Sequence, residues 1–318
     1  MALVPSSNGG GIAIITTNSI VGFLAIVCVI LRVWARKLKG ARLDGSDYTC
    51  ILGLIFAFGL FASLIYDITQ ALGREMDSVS TQEMVTFYQS VLAGLLLWTT
   101  STTFIRISAI LLFIRIFPLA RFITLCWFVL ALNLAYAIAT YFAGFLMCQP
   151  ITYTWDASRL GGHCGNWRTF YLWHGTQNLV LDLIVVIMPM PLLWRLQLPS
   201  YKKVTLTIIF ALGLSICAVT LGRIIGTYYG RISHITQDYI SVSLLTMLEP
   251  FLGIISCSLP LARPVGQRIF ALCGRASVLN SELDQSPASF GDKQRARNVA
   301  SPYTLSLSTP TTEHSEDV

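Results

Sequence analysis

The sequence predicts an all-α, polytopic membrane protein of seven transmembrane helices, with its N-terminus outside and its C-terminus in the cytoplasm. Three observations predict it. Hydrophobic residues make up 54% of the 318 residues and charged residues only 12%, whereas soluble domains carry about 25% charged residues. The apolar residues fall in runs long enough to cross a bilayer, for which a helix needs roughly 20 residues. The Lys and Arg residues collect in every second loop. Lys and Arg favour the cytoplasmic side of short loops, so alternate loops agree on one orientation.

Helix one is expected from about Ile12 to Leu31, with no Lys or Arg before it and no small-residue cleavage pattern after it, so it reads as a retained helix and not a removed leader. The basic run Arg32, Arg36, Lys37, Lys39 and Arg42 follows. Helix two is expected from about Tyr48 to Leu72, and the next loop, Gly73 to Glu83, is mostly acidic. Helix three is expected from about Phe87 to Phe113, ending at Arg115 with Pro118 and Arg121 in a short turn. Helix four is expected from about Phe122 to Met147, followed by a long loop, Cys148 to Arg168.

Helix five is the stretch TQNLVLDLIVVIMPMPLLWRLQLP, Thr176 to Pro199, beginning as early as Tyr171. It carries Asp182 near its middle. Pro189 and Pro191 would bend or end it, because proline removes a helix hydrogen bond and clashes with the preceding turn. Its exit loop holds Arg195, Lys202 and Lys203. Helix six is expected from about Val204 to Tyr228, and helix seven from about Tyr239 to Leu261, followed by Arg263 and Arg268. The expected organisation is a short outer segment 1–11, a membrane domain 12–268 and a polar cytoplasmic tail 269–318. That tail is too poor in apolar residues to order itself. Ser286-Pro287, Ser301-Pro302 and Thr309-Pro310 in it are candidate proline-directed phosphosites.

Only Cys148 and Cys164 fall in an outer loop. The outer face of a secretory-route protein is oxidising, so a disulfide is expected there; it would close a loop of about 17 residues, worth roughly 3 kcal/mol in the chain-entropy model. The alternatives are two free thiols, or a zinc site with His163 that lacks a fourth ligand and the usual spacing.

Four charges lie inside expected spans: Arg106, Asp182, Arg223 and Glu249. Charges in a bilayer are costly and usually face the bundle interior. Asp182 and Glu249 count to similar depth, Arg106 lies nearer the inside, and Arg223 lies in the outer third, where it could snorkel outward. One reading is a structural salt-bridge network. The other is a ligand pocket or ion path. Glu249-Pro250 adds an expected kink. Trp98, Trp127, Trp173 and Trp194 fit interface anchoring, and Asn133, Asn178 and His174 fit helix–helix hydrogen bonding. No phosphate-binding, zinc-protease or serine-hydrolase motif is present in the sequence.

In order, RVWARKLKGARLDGSDY, IRISAILLFIRIF, CQPITYTW with GGHC, DLIVVIMPMPLLWRLQLP, FALGLSICAV and LEPFLGIISCSLPLARPV make a pattern that resembles the fungal rhodopsin-domain family of seven-helix membrane proteins. That family includes receptor-like proteins of plant-pathogenic fungi and a protein of the satratoxin biosynthesis cluster. The resemblance covers about Ile12 to Arg268. The chain departs from it where the family's paired acids open helix two: Ser46-Asp47 stands there, with Asp44 nearby.

The family name suggests retinal, yet a retinal Schiff base needs a lysine amine inside the bundle. Lys37, Lys39, Lys202, Lys203 and Lys293 all fall in expected loops or tail, so no cofactor is expected. The resemblance implies a receptor-like or sensing protein without retinal, with an outer-half pocket between helices three, five, six and seven. Its expected partners are the lipid bilayer, a small-molecule ligand and a cytoplasmic signalling partner at the basic inner loops, and not nucleic acid. The alternative is an accessory membrane protein of a secondary-metabolite cluster, either a transporter or a membrane-embedded cyclase-type enzyme using Asp182 or Glu249 as acid. Either would sit in the plasma membrane or an endomembrane.

Overall fold

Apolar side chains on all sides of a helix are stable only where the surroundings are apolar too, and the computed structural model has this character. It describes residues 9–38, 40–70, 81–155, 161–191, 200–229 and 242–260. These contain seven helices long and apolar enough to cross a membrane: α1 Gly9–Leu38, α2 Gly45–Gln70, α3 Thr81–Ile116, α4 Ala120–Leu146, α5 Trp167–Ile187, α6 Ser200–Tyr229 and α7 Val242–Pro260. Phe23, Phe128 and Phe142 are each about two-thirds exposed and stand on the bundle's outer surface, where lipid would solvate them. The chain is a multi-pass membrane protein.

Consecutive spans of a multi-pass protein cross the bilayer in opposite directions, so two ends can be distinguished. One holds the α1–α2 and α3–α4 turns. The other holds the loop between α4 and α5, where β1 (Cys148–Gln149) pairs antiparallel with β2 (His163–Cys164) around a 3-10 turn, Ile151–Thr154. The Cys148–Cys164 disulfide lies in this small ribbon.

The centre of the bundle is α3, the most enclosed of the seven spans. Its contact with Gly53 of α2 is close: a Cβ on Gly53 would stand 2.9 Å from Ile105 Cγ1 of α3, and Ser101 Oγ of α3 donates to Gly53 O at 2.8 Å. Small residues and hydroxyls at such contacts let helix backbones approach where lipid gives no hydrophobic drive. Ala25, Ala57, Ile105, Phe251 and Ile254 join α1, α2, α3 and α7 in one core cluster.

Three expectations are corrected. Helix one does not end at Leu31 but continues to Leu38, and Arg32 and Arg36, read as loop residues, are buried within it. The reason is Asp47, which takes Arg32 Nε at 2.8 Å and Arg36 Nε at 3.0 Å. Helix five lies earlier than Thr176 to Pro199: an N-cap at Asn166, whose side chain accepts from Thr169 N, starts it at Trp167, and it ends at Ile187, just before Pro189. Asp182 therefore stands near its last turn, not its middle. Lys37 lies exposed on the last turn of α1, and Lys202 and Lys203 lie in the first turn of α6, rather than in loops. The start of the chain, Trp194, Arg195, the tail and its candidate phosphosites lie outside the described residues.

Candidate functional site

α3, α5, α6 and α7 bring the four intramembrane charges into one buried network. Arg106 on α3 donates to Asp182 Oδ1 on α5 from Nε at 3.0 Å and from Nη2 at 2.9 Å. Arg106 Nη2 also donates to Asn178 Oδ1. Asn178, one helical turn before Asp182 on the same face, links the two acids: its Nδ2 donates to Glu249 Oε1 at 2.6 Å and to Asp182 Oδ2 at 3.3 Å. Arg223 on α6 completes the set, with Nη2 3.7 Å from Glu249 Oε2. That distance is within ion-pair range but too long for a hydrogen bond, and both atoms have no hydrogen-bond partner among the described residues. The formal charges cancel in two pairs, which lowers the cost of keeping them out of water.

Arg223 does not snorkel outward. It is buried, with its guanidinium carbon 4.2 Å from the centre of the Trp98 ring. A cation over an aromatic face gains more where water is excluded, and that contact holds the side chain inward. Trp98 is accordingly not an interface anchor. It is 1% exposed and packs against His174, with ring centres 5.0 Å apart. His174 also meets Tyr136 at 5.5 Å and Phe170 at 5.9 Å. Trp127 and Trp173 are about half exposed, as interface anchoring requires.

A cavity of about 400 Å³ lies against this network. Arg106, Asp182 and Glu249 line it, along with Leu112, Phe113 and Val185. It is formed by α3, α5, α6 and α7, as expected, but it occupies the half of the bundle at the α1–α2 end, not the disulfide half. Two features of the sequence explain this. In the disulfide half, Trp98, Tyr136, Phe170 and His174 fill the space. Towards the other end, α5 is interrupted before Pro189, and Pro189, Met190 and Ile116 line the space beside the last turns of α3.

A second polar cluster lies at the α1–α2 end. Asp47 reaches back from the first turn of α2 to accept Asp44 N at 3.0 Å, as an acid three residues after a helix cap does. Arg32 donates to Asp47, to Ser46 O and Oγ at 2.9 and 3.0 Å, and to Cys257 O on α7 at 2.9 Å. Arg36 and Arg115 both pair with Asp44. Ser108 Oγ on α3 donates to Ser46 O at 2.6 Å. One carboxylate, Asp47, thus ties α1 to α2 and, through Arg32, to α7. The basic run after helix one signalled charge here, but reading that run as loop hid the cluster.

A model of the fungal rhodopsin domain matches residues 31–268. The chain belongs to that family. Its match begins just before Arg32 and takes in both polar clusters. Among the family's relatives, the chain is 23% identical over 295 residues to the polyenoic acids biosynthesis gene cluster protein Ba17b of Metarhizium anisopliae, covering 87% of this chain and 80% of that one. It is 28% identical over 159 residues to an SAT4 family membrane protein of Emericella nidulans, covering 48% of this chain and 40% of that one. It is 25% identical over 279 residues to the receptor GIN3 of Arthrobotrys oligospora, covering 84% and 65%. No solved structure matches.

Proposed function

We propose that this fungal rhodopsin-domain protein is a receptor-like sensor, and that the cavity between α3, α5, α6 and α7 takes a small molecule that acts on the Arg106–Asp182–Asn178–Glu249–Arg223 network. The observation that carries the reading is the joining of the two. Polar groups held at the wall of an otherwise apolar cavity are the usual make-up of a small-molecule site, and a network spanning four helices can pass a local change in pairing to all of them. Similarity to the receptor GIN3 supports it. We place the N-terminus outside and the C-terminus in the cytoplasm. The disulfide supports this, because it lies at the end opposite Arg36, Arg42 and Arg115 and suits an oxidising compartment. The cavity then lies in the cytoplasmic half, and the basic inner end is where a signalling partner would dock.

The second reading is an accessory membrane protein of a secondary-metabolite cluster. Similarity to cluster proteins of Metarhizium anisopliae and Talaromyces wortmannii favours it. In that role the same cavity would hold a biosynthetic intermediate. Deletion of the gene with metabolite profiling and assays of surface response separates the two. Unchanged metabolites with altered responses support the sensor, and a stalled intermediate supports the accessory role. A tag after Val318 that is cleaved only from the outside of sealed cells would overturn the orientation.

A further inference from the structure

The apolar wall of the cavity follows α3 from Arg106 towards Ile116 and Phe117. Ten helical steps, from Arg106 to Ile116, rise about 15 Å, so the cavity is long in the direction of the bundle. Ile116, Phe117, Pro189, Met190 and Pro260 line it far from the charges, and Arg106, Asp182 and Glu249 line it at the other extreme. Its shape and lining therefore suit a molecule with one long apolar part and one polar end.

The polar groups narrow the chemistry of that end. Arg106 is 5% exposed and Glu249 is 3% exposed, and both border the cavity. Each has an atom with no hydrogen-bond partner among the described residues, Arg106 Nη1 and Glu249 Oε2. Buried donors and acceptors of this kind are costly to leave unpaired. Nη1 can only donate and the carboxylate oxygen accepts. Asn178 bonds to Arg106 Nη2 and to Glu249 Oε1, so a single carboxamide group lies between the two head groups. Two arginines already face two acids in the network. An ionised end group would leave one charge of either sign uncompensated in a low-dielectric site.

We propose that the cavity binds an elongated apolar molecule by one uncharged end group that both donates and accepts a hydrogen bond, an alcohol or a primary amide, seated between Arg106 and Glu249. The group would accept from Arg106 Nη1 and donate to Glu249 Oε2. The inference rests on the reading of the cavity as a ligand site. The ligand could come from the bilayer itself or from a dissolved metabolite, since both can present this chemistry.

The test uses the full chain in lipid nanodiscs, with thermal unfolding followed against concentrations of four probes sharing one chain length: dodecanol, dodecanamide, dodecane and sodium dodecanoate. A ligand that binds only the folded state raises the midpoint with concentration. Dodecanol and dodecanamide are expected to act at concentrations about tenfold below dodecane and dodecanoate, the size of effect expected from pairing one buried polar group. Ala109→Phe, which adds bulk at the cavity wall, should remove the preference; Val185→Phe serves if that variant does not fold. Dodecanoate acting as well as dodecanol would overturn the end-group inference and leave the ligand cavity standing. Equal effects of all four probes, unchanged by the wall variants, would mean partition into lipid and would overturn the cavity reading too. Diacylglycerol, a membrane lipid with a free hydroxyl, distinguishes the sources when added to the nanodiscs in place of a probe: a raised midpoint assigns the ligand to the bilayer, and no change assigns it to a dissolved metabolite.

Discussion

Asp182 Oδ1 accepts two hydrogen bonds from the same guanidinium, Arg106 Nε at 3.0 Å and Nη2 at 2.9 Å. The two side chains are 5% and 11% exposed. Little of either side chain is exposed, so each is the other's main compensation. Arg106→Gln or Asp182→Asn alone should each cost about 3–5 kcal/mol, because each leaves a buried charge uncompensated. The double variant should cost less than the sum. Thermal unfolding of the purified chain measures this. Additive losses would show that the pair is not coupled.

Arg32 at the α1–α2 end predicts a different kind of failure. Its guanidinium bonds to Asp47, Ser46 and Cys257 from separate nitrogens. A lysine keeps the charge but offers one compact ammonium in place of a planar fork. Arg32→Lys should therefore destabilise the bundle nearly as much as Arg32→Gln, by about 3 kcal/mol. Full stability in Arg32→Lys, read by the same unfolding assay, would mean that charge alone is needed there.

How much of this could be read beforehand follows from what sets each feature. Span number depends on apolar length, which sequence carries directly, and all seven spans were legible. The ends of the spans depend on partners. The N-cap at Asn166 and the break at Pro189 are local signals, yet an apolar run continuing to Pro199 masked where α5 stops. Arg32 looks like a loop residue until Asp47 is beside it. The charges Arg106, Asp182, Arg223 and Glu249 stood out because charge is rare in a bilayer. Asn178 did not, because an amide in a membrane helix most often makes one ordinary interhelical bond. The side of Trp98 that meets Arg223 and His174 is set by packing between α3, α5 and α6, which no linear spacing reveals.

The Cys148–Cys164 disulfide predicts that both cysteines resist alkylation until reduction, read by mass spectrometry of peptides from the loop between α4 and α5. Cys148→Ser should lower stability, by less than the about 2–5 kcal/mol typical of small secreted domains, because the seven spans hold most of the structure. It should also lower surface expression. Alkylation of both cysteines without reduction would remove the bridge.

Glu249 separates a structural network from a working one. Its Oε1 accepts from Asn178 at 2.6 Å, while its Oε2 lies 3.7 Å from Arg223 Nη2. The first contact is a hydrogen bond that a glutamine carbonyl can also accept. The second is a charge attraction that glutamine cannot make. Glu249→Gln should therefore keep the Asn178 link and leave Arg223 paired only with the Trp98 face. If the network serves folding alone, stability and surface expression should fall, and Arg223→Gln added to Glu249→Gln should recover part of the loss, because the uncompensated charge is then gone. If Glu249 handles a ligand or a proton, expression should stay near normal while the cellular response or metabolite output disappears, and the second substitution should not restore it. Surface expression, thermal stability and the deletion-strain readout, taken on the same two variants, distinguish these outcomes. We expect the second pattern, because Glu249 borders the cavity and Arg223 does not.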